Sequence, residues 1–115
     1  MTVYQLESIT ICKGSALNPV FTFYNKDGSK PNYNGFDAWF ILSRYGFEDE
    51  NVFSKMMTLT EDNKFEVLLN TSDTDSLEAG AYTMKLVLVD EGDNQHKFAR
   101  GVFNVLLDTT EVAAT

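Results

Sequence analysis

The chain has one cysteine and one histidine. A single thiol excludes an internal disulfide and any multi-cysteine zinc site. A single imidazole excludes metal sites built on paired histidines and argues against a histidine-based triad. Positive charge is scarce as well: nine Lys and Arg stand against 17 Asp and Glu, a net charge of −8. Phosphate-backbone binding needs a basic stripe, and these few cations are scattered, so no nucleic-acid partner is expected. No apolar run approaches the roughly 18 residues of a membrane span. Residues 1–15 lack the basic start and apolar stretch of a signal peptide. A soluble protein made in a cytosol, without membrane contact, is the expectation. Repeats, low-complexity tracts and internal domain boundaries are also missing.

What is present belongs to a packed β domain. The 115 residues are 43% apolar and 13% aromatic, enough for one domain with a real core. Nine Phe and five Tyr against two Pro favour pleated, half-buried surfaces. Short strands are predicted over Val3 to Cys12, Val20 to Phe23, Phe36 to Arg44, Val52 to Leu59, Lys64 to Leu69, Tyr82 to Asp90 and Gln95 to Leu106. Turn signals separate them, among them Asp27-Gly28, Glu61-Asp62-Asn63 and Glu91 to Asn94. The polar segment Asn70 to Ala79 accommodates one helical turn, with Asn70 or Ser72 as its cap. The expected architecture is an immunoglobulin-like antiparallel β-sandwich of about seven strands over residues 1–107. Residues 108–115 read as a flexible C-terminal tail.

Strand side chains alternate between faces, so the pattern assigns directions. Tyr82, Met84, Leu86 and Leu88 share one face, and Thr83, Lys85, Val87 and Val89 the other. The lysine marks the second set as solvent-side. Phe65, Val67 and Leu69 point inward, as do Phe103 and Val105, with Arg100, Val102 and Asn104 outward. The strand around Trp39 leaves two readings open. With Ala38, Phe40 and Leu42 in the core, Trp39 and Ile41 stand outside beside Val87, Val89 and Val102, and that apolar patch marks a protein contact. With Trp39 as the core tryptophan of a sandwich, Ala38 is the outward residue.

Candidate chemistry is thin. Asp73 and Asp75 flank Thr74, where carboxylates at a helical start accept backbone N–H groups. Glu48-Asp49-Glu50 and Asp90-Glu91-Gly92-Asp93-Asn94 offer oxygen ligands without the spacing of a calcium loop. His96 reads as solvated and Cys12 as a packed core thiol. Gly80 stands alone, so no glycine-rich phosphate loop exists. No catalytic residue, cofactor or metal site is expected.

Several segments together resemble a family of small tailed-phage virion proteins and domains, among them the N-terminal domain of the phage baseplate upper protein. They are Ile9 to Ser15 (ITICKGS), Phe21 to Gly28 (FTFYNKDG), Asn34 to Leu42 (NGFDAWFIL), Asp73-Thr74 with Leu77, Gly80 and Tyr82, and Gly101 to Val105 (GVFNV). The chain departs from the family in Ser43–Glu50 and in its strong acidity. The family places a polar residue at the position of Trp39, which favours the outward reading. The resemblance implies a non-enzymatic structural part of a virion, in the tail, baseplate or neck. It would assemble symmetrically in many copies with other virion proteins through a sheet face carrying Trp39, Ile41, Val87, Val89 and Val102. Leu77, Gly80 and Tyr82 would form a structural corner. Two alternatives are a capsid decoration protein of the same fold, and a receptor- or carbohydrate-binding module using Asn32-Tyr33-Asn34 and Tyr45-Gly46-Phe47.

Overall fold

A computed structural model describes residues 4–107, with the backbone alone at Glu48. Along the chain run β1 (Tyr4–Gln5), β2 (Ile9–Cys12), β3 (Val20–Thr22), β4 (Asp37–Arg44), β5 (Phe47–Glu61), β6 (Lys64–Glu66), α1 (Thr71–Asp75), β7 (Gly80–Val89) and β8 (Gln95–Leu106). The expected tail at 108–115 lies outside the described residues.

The strictest alternation in the sequence builds the centre of the sheet. β7 pairs antiparallel with β8 on one side and with β4 on the other. β5 continues beyond β4, then β6 and β3, giving the order β1-β8-β7-β4-β5-β6-β3. The chain is nearly all β, as its composition requires, but the arrangement differs from the expected sandwich: the strands form one curled, mixed sheet, a half-barrel. Two features account for this. β5 is 15 residues long and pairs with β4 at its start and β6 at its end, with irregular register at both. A strand that bends along its length carries the sheet round the core instead of ending one sheet and starting another. The second feature is at the N-terminus, where the single predicted strand divides into β1 and β2. Both run parallel to β8, so the sheet is mixed. Leu6, between them, donates its N–H to the Arg100 carbonyl at 2.8 Å. Gly101 makes room for it: a Cβ there would lie 2.9 Å from the Leu6 Cβ and 3.0 Å from its carbonyl oxygen.

The concave face holds an aromatic core. Phe40, Phe65, Phe98 and Phe103 are fully buried, and Phe23, Tyr33, Phe65 and Phe98 contact one another at ring-centroid distances of 4.9–6.5 Å. A bulge in β8 lets consecutive residues Phe98 and Ala99 both point inward. Asn63 is the buried polar residue of the turn before β6. Its amide donates to the Phe23 carbonyl at 2.7 Å, tying that turn to the end of β3.

The single helical turn is capped from both directions. The Asn70 side chain accepts the Asp73 N–H at 2.9 Å, and the Asp73 carboxylate accepts the Asn70 N–H at 3.0 Å. Thr74 is buried and its hydroxyl donates to the Ser15 carbonyl at 2.8 Å. Lys13 donates to the carbonyls of Asp75 and Leu77. The segment after β2 therefore clamps the turn that precedes β7.

Candidate functional site

Alternation in β4 places Ala38, Phe40 and Leu42 in the core, all buried to 1% exposure or less. Trp39 and Ile41 are thereby directed to the opposite, convex face, where both are half-buried. Register then fixes their neighbours. Trp39 lies between Val87 of β7 and Met56 of β5, and Lys97 continues the row on β8. The next row reads Ser54, Ile41, Lys85, Arg100, and the one after it Asn51, Ser43, Thr83, Val102. Val89 stands between Asp37 and Gln95 at the far end.

Of the five residues proposed for a contact, Trp39, Ile41, Val87 and Val89 are thus brought together. Val102 is not, because Lys85 and Arg100 lie in the row between it and Val87. Sequence reading missed Met56, which faces Trp39 across the β4–β5 pair and is 51% exposed. Its signal lay in the Arg44–Phe47 hairpin, which sets the register, but the irregular pairing between Leu42 and Arg44 hides the count.

The convex face is drier than a simple solvent side. Val87, Lys85, Thr83 and Ser43 are all buried there, and this corrects the reading of Lys85 as a solvated lysine. The Lys85 ammonium donates to the Asn51 side chain at 2.9 Å. Burial lowers its pKa, the nearby Lys97 charge adds to that, and Asp49 opposes it. The Ser43 hydroxyl, also buried, has no hydrogen-bond partner among the described residues.

Leu77, Gly80 and Tyr82, the residues expected to form a corner, stand at the entry to β7. Leu77 and Tyr82 are buried. The Tyr82 hydroxyl donates to the Glu78 carbonyl at 2.6 Å. Gly80 enters the strand at φ +146°, a conformation L side chains rarely adopt.

The other candidate residues are engaged structurally. Asp73 also accepts from Lys55 at 2.8 Å, and that bond lowers its pKa. Asp90 accepts the N–H groups of Gly92 and Asn94 at 2.9 and 3.0 Å, so its carboxylate organises the turn. His96 is not simply solvated: its Nε2 lies 3.0 Å from Asp90 and its ring meets Phe36 edge-on. That contact is the main cause of an Asp90 pKa lowered to about 2. Cys12 is exposed, against the expectation of a core thiol, because it follows Ile11 out of the core in strand alternation. Tyr33 is buried in the aromatic core and cannot serve as an open stacking platform, whereas Tyr45 is 60% exposed. Among the described residues no group of three His, Cys, Asp or Glu is placed to hold a metal ion. Nor, among them, is any helix long and apolar enough to cross a membrane.

No family model matches the sequence, and no curated protein matches it. Among solved structures, the fold is similar to the N-terminal domain of phage TP901-1 ORF48, with a TM-score of 0.59 at 12% identity over 95% of this chain and 100% of that one. The likeness read from sequence motifs to a phage domain is therefore met by a likeness of fold to a phage domain.

Proposed function

We propose that this chain is a non-enzymatic structural domain of a phage virion that binds neighbouring virion proteins through its convex sheet face. One observation carries the reading: the only tryptophan of the chain is turned away from the core, at mid-sheet, between Val87 and Met56. Large aromatic residues with apolar neighbours anchor protein contacts. The fold likeness to a phage domain supports the setting. In this role Trp39, Met56, Ile41 and Val89 supply the dry centre, and the acidic turns around them keep the free chain dispersed. Residues 1–107 act as one unit, and repeated copies occupy equivalent positions, since particles are built from repeated contacts. A tail, baseplate or neck position is preferred to decoration of the capsid surface.

Quantitative mass spectrometry of purified particles from cells carrying the gene tests the assignment. A fixed number of copies per particle, retained through high-salt washing, is the expected result. Absence of the chain from washed particles would overturn it.

A further inference from the structure

We infer that the mouth of the half-barrel beside the β4–β5 hairpin is a saccharide-binding cleft, taking a neutral pyranose against Tyr45 and Phe47. This goes beyond the docking role proposed above and uses none of the residues of the convex face. A cleft of about 420 Å³ opens there, between the hairpin and the segment leading into β7. That size suits a small ligand. Tyr45 and Phe47 line it and are each 60% exposed, more than any other described aromatic residue. Two rings held open on one cleft offer flat apolar faces to a ligand that has flat apolar faces of its own. The C–H faces of a pyranose have that character.

Around the same cleft stand Arg44, Ser76 and Glu78, with Tyr82. Arg44 supplies donors and Glu78 acceptors suited to hydroxyl groups, while the Ser76 and Tyr82 hydroxyls already donate to the Asp73 and Glu78 carbonyls. Their charges converge: Glu78 and Arg44 both act on the Tyr82 phenol, in opposite senses. Arg44 is further compensated by Glu50 at 3.7 Å. One cation stands against two carboxylates there, so no excess of positive charge selects a phosphate or a carboxylate. Polar groups ringing exposed aromatic faces match a neutral, hydroxyl-rich ligand. A protein segment seated here would bury the Arg44 and Glu78 charges against a cost, whereas a sugar leaves them at a wet rim.

The test is a titration of the ¹⁵N-labelled full chain with methyl β-glucoside, methyl β-galactoside and N-acetylglucosamine in turn. At least one should move amide resonances of residues 44–52 and 76–82, with a Kd on the order of 1–10 mM for a single ring. Tyr45→Ala and Phe47→Ala, both at exposed positions, should each weaken that binding about tenfold, a loss of about 1.4 kcal/mol, with an unchanged Tm. Three results would each overturn the inference. One is no response to any of the three probes. Another is a response that survives both substitutions. The third is concentration-dependent broadening of the same amides without sugar, which would make the tip a protein contact. Trp39 lies outside the responding segments, so failure here leaves the docking proposal standing.

Discussion

Trp39 of β4 and Val87 of β7 face each other in register on the convex side of the sheet, while their chain neighbours Phe40 and Leu86 face each other in the core. One residue of alternation separates a packed interior from the face proposed to meet a partner. The two sides respond differently to truncation. Phe40→Ala should cost about 3–5 kcal/mol, as for other buried Phe. Trp39→Ala, on a half-buried side chain, should cost about 1–2 kcal/mol. Urea denaturation of both variants measures the difference, and equal losses would place Trp39 among the core residues.

The Tyr82 corner predicts a modest, specific effect. Tyr82→Phe keeps the ring packed and removes the hydrogen bond to the Glu78 carbonyl. The expected loss is about 1 kcal/mol, read as a lower urea midpoint with an unchanged m-value. An unaltered midpoint would mean the bond adds nothing beyond what water supplies.

Gly101 is a packing requirement. With a Cβ 2.9 Å from that of Leu6, Gly101→Ala must push the Leu6 segment off β8, and the end of the Met84 side chain must give as well. A loss of about 1–3 kcal/mol follows from overpacking. Hydrogen exchange should show it first at the Leu6 amide, which donates to Arg100. A variant as stable as the parent, with Leu6 equally protected, would contradict the close approach.

Acid should weaken the fold in a defined window. His96 and the turn amides hold the Asp90 pKa at about 2, below its ordinary 3.8, and the Lys55 bond lowers that of Asp73. In the unfolded chain these carboxylates take up protons at higher pH than in the folded one. The stabilisation they give is therefore complete above about pH 4 and fades as pH falls toward 2. Tm measured across that range should drop, and Asp90→Asn should flatten the slope. A parent profile no steeper than that of the variant would remove Asp90 from the account.

Much of this was legible in residue patterns. Alternation located Phe65, Leu86 and Phe103 in the core because a strand flips every side chain, whereas for Phe40 and Trp39 it left both directions open; the acid-rich turns fell where Asp and Asn hydrogen-bond their own backbone. The motifs that prompted the phage resemblance prove to be joints of the fold: Lys13 and Ser15 hold the α1 turn, Asp73 closes the capping box, and Gly101 admits Leu6. What the pattern could not carry was curvature and register. Nothing in β5 announces that it spans both halves of the sheet, so a sandwich was expected where a half-barrel forms. The same gap hid Met56 beside Trp39, and made Lys85 look solvated although Asn51 and the neighbouring rows enclose it. Tyr33 looked like a loop aromatic because its neighbours are polar, but its partners Phe65 and Phe98 come from distant strands.

The convex face around Trp39 is proposed to join this chain to other virion proteins. Trp39→Glu puts a charge at the centre of that face without entering the core. The variant should still fold cooperatively, with a stability loss like that of Trp39→Ala, yet be lost from purified particles when it replaces the parent chain. Particles that retain the variant at parental copy number would contradict the account.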